Sequence, residues 1–292
     1  MKRILTINGG MGKSVFATAL CNGIKKAHPN DPLYVATGYP DVFSGIESVD
    51  MALSHGHESY FYERYIADGD FTLYANEPYL VSEHVRCSEH VLASWFRLCG
   101  IDYAGQLPQV NINYRENLFY SNKFAPKRQY MVIQSNGGPA GDVDLKYSWA
   151  RDIPTAVVRA VVEEFSPRYD IYHIRKDNQL SYERTIPVQD SYKAICWLLK
   201  NSDKRLLMDS FCQHAAAGMG KRSTVLWIAN KPNVFGYEIH DNVVANPETR
   251  KPDLRSSFLS KYNISGAVNE FPYNDESEIF DVNRIIDSIK SQ

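Results

Sequence analysis

Apolar runs and glycine turns alternate along the first part of the chain in the manner of a parallel α/β protein. Residues 3–8 (RILTIN) predict a buried strand and residues 9–12 (GGMG) a turn. Residues 14–27 carry apolar side chains at helical spacing, and residues 33–37 (LYVAT) form another short apolar run. This order predicts a strand–turn–helix–strand unit, with which a parallel sheet begins.

A second unit of the same kind begins near the middle of the chain. Residues 130–134 (YMVIQ) predict a strand, which the glycine-rich turn 135–141 (SNGGPAG) follows. Residues 155–165 then predict a helix, residues 169–174 (YDIYHI) a strand and residues 191–199 another helix. The two units lack close sequence identity, so we interpret them as a duplicated architecture rather than an obvious repeat.

The most informative pattern covers residues 206–228 (LLMDSFCQHAAAGMGKRSTVLWI). An apolar approach is followed by Asp209 and Ser210, which are favoured residues for capping a helix start. Three alanines and a glycine exit lead to a short apolar strand. The pattern places Asp209, Ser210 and His214 near a helix N-terminus, whose free N–H groups suit anionic or hydroxyl-rich ligands.

The segment between the two units divides the chain. Residues 82–99 predict one continuous helix, and residues 110–113 a strand. Residues 115–128 are polar and are the best linker candidate. We therefore expect two domains, 1–122 and 123–292. Both would be Rossmann-like α/β domains, and they would face a central cleft.

The chain ends in an amphipathic helix predicted over residues 277–290 (SEIFDVNRIIDSIK). Its apolar face could pack on either domain, including back on the first.

Composition restricts the class of protein. The 292 residues are 44% hydrophobic and 23% charged, which fits a soluble globular protein. The formal charge of −2 argues against a uniformly basic nucleic-acid coat, although Lys123, Lys127 and Arg128 form a local basic cluster. No apolar run reaches about 18 residues, so no membrane span is expected.

Cysteine content and the start of the chain indicate the compartment. The five cysteines are odd in number and none has CxxC spacing, which favours free thiols in a reducing environment. The first apolar run has only a strand's length, which argues against a signal peptide. We expect a cytoplasmic protein.

The first glycine turn contains Gly12-Lys13-Ser14, the ending of a nucleotide-binding P-loop. The full pattern needs a glycine where the chain has Ile7, and the early-lysine variant needs a lysine where it has Asn8. A P-loop triphosphatase or kinase is therefore an alternative with a broken motif. The glycines still permit close approach of the backbone to a ligand.

The second unit offers contacts for a nucleotide diphosphate. Asn136, Gly137 and Gly138 provide backbone groups, and Lys146 and Arg151, on either side of Trp149, provide charge. No metal site is expected. His55 and His57 have no convincing third ligand, and the Asp-x-Asp triplets at 68–70 and 142–144 are common in turns.

The order of these motifs resembles that of a known family. The motifs are GGMGKSVFATALCNGIKKAHPND, a mid-chain helix ending in LCGI, IQSNGGPAGDVDLKYSWARDIP and LLMDSFCQHAAAGMGKRSTVLWI. They are similar to those of the heptosyltransferase-like glycosyltransferases of family 9, which have the GT-B fold. The resemblance implies transfer of a sugar from a nucleotide-sugar to an acceptor hydroxyl, usually without a metal and with no other cofactor.

The resemblance also implies roles for individual residues. Lys146 would hold the donor diphosphate, Asp209 would contact the donor sugar, and Ser210 and His214 would line the same pocket. The loop where acceptor and donor meet would be formed by Gly9, Gly10 and Gly12.

One departure from the family concerns the base. The family commonly has an aspartate after the first glycine loop, where this chain has Lys13. A lysine there would stabilise the leaving group rather than take a proton. The base is therefore open among Asp41, Glu47, His55 and His57, and we assign catalytic roles to Lys13, Asp41 and Asp209.

The acceptor is less defined than the donor. A glycan, a lipid-linked core, a protein or a modified nucleic-acid base, as in phage DNA modification, all stay open, as does the oligomeric state. Besides the P-loop enzyme, a second alternative is a non-catalytic module that binds nucleotide-sugars.

Overall fold

Each half of the chain forms a parallel sheet from its short apolar strands. The computed structural model describes residues 1–67, 69–137, 149–252 and 271–292. Two of the predicted donor residues, Gly138 and Lys146, lie outside the described residues, and so does the 142–144 triplet.

The first sheet has the order β3-β2-β1-β4, and every described pairing in it is parallel. Leu5 of the central strand pairs with Val35 on one side and Tyr74 on the other. Because the strands are parallel, the glycine turn after the first strand lies at the same edge as the other carboxyl ends. The strands are β1 (Lys2–Ile7), β2 (Leu33–Thr37), β3 (Met51–Ser54) and β4 (Phe71–Tyr74).

The second sheet has the order β10-β9-β8-β5-β6-β7 and is also parallel throughout its described pairings. Two parallel sheets with helical connections confirm the predicted α/β class with two Rossmann-like units. The strands are β5 (Tyr130–Gln134), β6 (Asp170–Ile174), β7 (Ile186–Val188), β8 (Lys204–Met208), β9 (Thr224–Trp227) and β10 (Asp241–Val244).

The helices connect these strands and cover the sheets. They are α1 (Met11–Ala27), α2 (Ser82–Val85), α3 (Val91–Leu98), α4 (Tyr114–Phe124), α5 (Thr155–Phe165), α6 (Tyr192–Asn201), α7 (Phe211–Gly218), α8 (Pro232–Phe235) and α9 (Val282–Lys290).

Helices α1 and α7 join the two halves. They pack against each other, and one buried apolar cluster includes side chains from α1, α3, α6 and α7. A second cluster lies on the other face of the second sheet, under α5 and α9. The contact between α1 and α7 brings the carboxyl edges of the two sheets together.

The last helix packs on the second sheet, not back on the first domain. Helix α9 contacts β8, β9 and α5. Ile285 and Ile289 are fully buried there among side chains of the second cluster. Its apolar side chains complete the layer that α5 begins, which is the physical reason for this position.

The segment predicted as a linker forms helix α4 instead. Asn113 and Glu116 make a reciprocal capping box at its start. The helix packs on α6, where Phe124 stacks on Trp197 with ring centroids 5.6 Å apart. The boundary at residues 122 and 123 falls inside this helix, and a division into domains at that point stays a proposal.

Two other predicted elements differ in the structure. The helix predicted over 82–99 is broken into α2 and α3, because the chain turns at Cys87, where φ is 52°. Residues 110–113, predicted as a strand, have no regular structure. Within the described ranges, no helix is both long and apolar enough to cross a bilayer.

Gly23 of α1 packs directly against Phe96 of α3. A Cβ atom added there would lie 2.4 Å from Cε1 of the buried Phe96 ring. We expect Gly23→Ala to lower the free energy of unfolding by about 1–3 kcal/mol, because the clash outweighs the better helix propensity of alanine. Urea unfolding measures the effect. The control is Gly38→Ala, where an added Cβ meets nothing within 4 Å. Equal stability of both variants would contradict the expected clash.

Candidate functional site

A cleft of about 780 Å³ opens where the carboxyl edges of the two sheets meet. This volume is in the range of sites for small molecules and cofactors. Eleven of the predicted site residues are described, and nine of them line the cleft, whereas Gly9 and Asp41 do not. Those nine are Gly10, Gly12, Lys13, Asn136, Gly137, Arg151, Asp209, Ser210 and His214.

Two helix N-termini converge in the cleft. Helix α1 begins after Gly10 and α7 begins after Ser210, and neither has an acidic residue in its first turn. A Cβ atom on Gly12 would lie 3.5 Å from the backbone nitrogen of Phe211, in ordinary van der Waals contact, so the two helix starts lie next to each other. The two positive helix ends therefore favour a negatively charged ligand between them.

Gly9 belongs to the same glycine turn but lies outside the lining of the cleft. Its φ is 118°, a conformation that L side chains rarely adopt, and it packs against the Lys13 side chain instead of lining the cleft.

Asp209 lies between β8 and α7 and faces the cleft, although only 8% of its surface is exposed. Its carboxylate accepts a hydrogen bond from Nδ2 of Asn230, and its backbone oxygen accepts one from Nε of Arg151 at 2.9 Å. These contacts hold a carboxylate in a fixed orientation at the carboxyl end of β8. Such a group can accept hydrogen bonds from sugar hydroxyls.

The Ser210 hydroxyl already makes its hydrogen bonds within the protein. Its Oγ accepts from the backbone N–H of Cys212, which caps α7, and donates to Oε1 of Gln134. His214 is buried one turn further along, and its Nδ1 lies 2.9 Å from the hydroxyl of Tyr237. Burial, with His90 and His240 nearby, holds the pKa of His214 well below its usual range. His214 is therefore neutral at pH 7.

The second glycine turn is held by Asp152. This buried carboxylate accepts from Nδ2 of Asn136 at 3.0 Å and from the backbone N–H of Gly137 at 2.8 Å. The Gly137 N–H that was predicted to bind phosphate is thus already hydrogen-bonded to the Asp152 carboxylate. A Cβ atom on Gly137 would lie 3.2 Å from Nε of Arg151, so glycine lets this side chain cross the strand end.

The described cations that line the second half of the cleft are Arg151, Arg175 and Lys176. Arg151 is half-buried, and its hydrogen bond to the backbone oxygen of Asp209 ties the turn after β5 to the end of β8. Arg175 donates to the carbonyl oxygens of Lys176 and Gln179, which orders the turn after β6. Asp190 and Asp209 also line this side of the cleft, so its cations outnumber its carboxylates by one.

Lys13 lies in the first half of the cleft but does not carry a free charge. Its Nζ is 2.5 Å from Oε2 of Glu77 and lies over the rings of Tyr79 and Trp95, 4.9 and 5.3 Å from their centroids. Only 5% of the residue is exposed.

Asp41 is not brought into the cleft. It is exposed in the 3₁₀ turn Pro40–Phe43, and the other base candidates, Glu47, His55 and His57, are exposed as well. None of the four lines the cleft.

The geometry does not favour a P-loop. Ser14 is fully buried and its Oγ lies 2.9 Å from Oγ1 of Thr37, so it cannot reach a metal–phosphate complex in the cleft. Lys13 is paired with Glu77 and not aimed at a phosphate position. Across the described ranges, no group of three His, Cys, Asp or Glu side chains is placed to hold a metal ion.

The site also contains residues that were not predicted from the sequence, among them Gln134, Asn230 and Glu77. Gln134 is the last residue of β5, Asn230 lies three residues after β9 and Glu77 three residues after β4. Each lies just after or at the carboxyl end of an apolar strand, and this position is the signal that could have identified them.

Solved structures share this arrangement of two sheets. A family 9 glycosyltransferase from Veillonella parvula DSM 2008 superposes with a TM-score of 0.69 at 12% identity, covering 99% of this chain and 96% of that one. The ADP-heptose lipopolysaccharide heptosyltransferase II of E. coli has a TM-score of 0.64 at 11% identity, covering 84% and 90%.

A third similar structure is the dodecameric, iron-containing heptosyltransferase TibC of enterotoxigenic E. coli in complex with ADP-D-β-D-heptose. It has a TM-score of 0.55 at 12% identity, covering 82% of this chain and 62% of that one. No protein-family model and no curated protein matches the sequence. The structural similarities confirm the GT-B fold that the motif order implied.

Proposed function

We propose that the chain is a glycosyltransferase that moves a sugar from a nucleotide-sugar to an acceptor hydroxyl. The observation that carries this proposal is the convergence of two positive helix N-termini beside the oriented Asp209 carboxylate. One feature suits a diphosphate and the other suits sugar hydroxyls. Both lie in a cleft of the fold that sugar-transferring enzymes share.

The donor is proposed to lie against the second half of the cleft. Arg151, together with Lys146 and the Gly138 backbone, would hold the diphosphate, and Asp209 the sugar. In the reaction the anomeric carbon loses its bond to the diphosphate, which leaves with the electron pair. The acceptor oxygen bonds to that carbon and its proton passes to solvent water. The similar enzymes are named for ADP-heptose, so an adenosine diphosphate sugar is the first donor to test.

Positive charge for the leaving diphosphate comes from arginine and helix ends, so we propose that transfer needs no added metal. EDTA should then leave the rate unchanged. Cys21, Cys196 and Cys212 are buried thiols outside any disulfide, which supports a cytoplasmic site of action.

Nucleotide binding tests the proposed donor site. Calorimetry with ADP, UDP, GDP and CDP should show binding of at least one of them. Arg151→Met should weaken that binding by about tenfold or more, because a half-buried cation is lost from the phosphate site. Arg168→Met, at an arginine with a 66% exposed side chain that does not line the cleft, is the matched control. If none of the four nucleotides binds, the proposed function is wrong.

A non-catalytic binding module is the second candidate, because Lys13 replaces the aspartate of the family and is ion-paired. It predicts nucleotide-sugar binding without release of nucleotide in the presence of any acceptor.

A further inference from the structure

One wall of the cleft is aromatic and partly exposed. Tyr39 and Tyr79 come from the first half, and Phe235 from the second meets the Tyr79 ring edge-on with centroids 6.0 Å apart. Met11 and Phe211, at the starts of the two facing helices, extend this surface. The five side chains form what we call the aromatic wall.

Charge is distributed unevenly around the cleft. On the proposed donor side, the described cations of the lining outnumber its carboxylates by one; they are Arg151, Arg175 and Lys176, against Asp190 and Asp209. Among described residues, the first half contributes one cation to the lining, Lys13, and the Glu77 carboxylate neutralises it. The first half therefore has aromatic surface and hydrogen-bonding groups, but little net charge for holding an anion.

We propose that the acceptor is an uncharged, ring-bearing molecule, such as a neutral saccharide, that packs on the aromatic wall, and that Glu77 sets this preference by neutralising Lys13. The proposal rests on the proposed function and adds the acceptor class to it. A saccharide ring presents apolar C–H groups on its faces and hydroxyls at its edge, which suits aromatic rings next to a few polar groups.

Glu77 is placed to act on selectivity through Lys13. It follows β4, which pairs with β1, so its carboxylate reaches the residue that follows the β1 glycine turn. Without Glu77, the Lys13 ammonium would be an uncompensated cation beside the acceptor space. It would then attract a phosphate on the acceptor.

A matched pair of ligands tests the proposal on the full chain. We would titrate phenyl glucoside and phenyl glucoside 6-phosphate by calorimetry with ADP present. We expect the neutral ligand to bind with a Kd about tenfold lower or better, and Tyr79→Ala to raise that Kd about tenfold while Tyr79→Phe retains it. Equal or tighter binding of the phosphorylated ligand, or no binding of the neutral one, would overturn the proposal.

Variants of the ion pair test the part assigned to Glu77. Glu77→Gln should shift the ratio of the two Kd values toward the phosphorylated ligand by about tenfold. A Lys13→Met, Glu77→Gln double variant, which leaves no buried unpaired charge, should restore the preference for the neutral ligand. Glu83→Gln, in a surface pair with Arg97, is the control. An unchanged ratio in folded Glu77→Gln protein would overturn the role of Glu77.

The two proposals fail in different ways. If no nucleoside diphosphate binds, the proposed function itself is wrong. If nucleotide binds and nucleotide-sugar is consumed, but only with anionic acceptors, the donor site stands and the acceptor proposal alone is wrong.

Discussion

Asp209→Asn is expected to lower kcat/KM for sugar transfer by about 10²–10³-fold, the cost of removing one oriented electrostatic contact in an enzyme site. The carboxylate is nearly buried and held by Asn230, so it is a fixed, charged acceptor for donor hydroxyls. The amide has the same shape but carries no charge and has one acceptor oxygen instead of two. Nucleotide release in steady-state kinetics measures the effect.

The matched control is Asp241→Asn. Asp241 is the first residue of β10 and so lies at the amino end of that strand, away from the carboxyl edge that forms the cleft. It makes an ion pair with Arg284 outside the cleft. It should retain activity close to that of the unchanged chain. The melting temperature of Asp209→Asn should stay near its original value, and full activity of this variant would remove Asp209 from the donor site.

Acidification from about pH 7.5 to pH 5 is expected to lower the free energy of unfolding by roughly 6 kcal/mol, by protonation of buried histidines in the unfolded chain. Burial lowers the pKa values of His90, His173 and His240 from 6.5 to about 4. In the folded protein they are neutral at pH 5, whereas in the unfolded chain they bind protons below pH 6.5. Their contribution is therefore complete above 6.5 and is lost as the pH falls toward 4.

At pH 5 each such histidine lowers stability by roughly 2 kcal/mol. Three of them together lower it by roughly 6 kcal/mol, which is comparable to the lower end of the stability of a typical protein, about 5–15 kcal/mol. His214 is shifted in the same direction. Aspartates with lowered pKa values, such as Asp50 and Asp241, lose their stabilising contribution only below their ordinary value of 3.8. Histidines therefore dominate between pH 6.5 and 4.

Urea unfolding followed by circular dichroism at both pH values measures this dependence. His173→Gln should reduce the loss between pH 7.5 and pH 5 by about 2 kcal/mol. His55→Gln, at an exposed histidine, should not. A free energy of unfolding that is the same at pH 7.5 and pH 5 would contradict the expected contribution of the buried histidines.

The elements that the sequence predicted well are those whose signals are local. The unit β1–α1–β2 and the stretch β8–α7–β9 appear where apolar runs, a cap and glycines indicate them. Helix α4 was missed because none of its residues is fully buried and its segment is rich in polar residues, with only Tyr120 and Phe124 packed against the core. Its Asn113–Glu116 capping box was nevertheless a readable signal.

The site depends on contacts that a linear pattern does not contain. Asp209 and Ser210 were found because they cap a helix at a strand end. Glu77 reaches Lys13 only because β4 lies next to β1, and no local pattern states which strands are neighbours. The same holds for Asn230, which meets Asp209 because β9 pairs with β8.

Release of nucleotide from nucleotide-sugars tests the central claim most directly. The purified chain would be incubated with a panel of ADP-, UDP-, GDP- and CDP-sugars and both neutral and phosphorylated saccharide acceptors, and the products identified by mass spectrometry. The proposed function predicts nucleoside diphosphate together with an acceptor heavier by one sugar, and loss of both in Asp209→Asn. Binding of a nucleotide-sugar with neither product formed, across the whole panel, would contradict it.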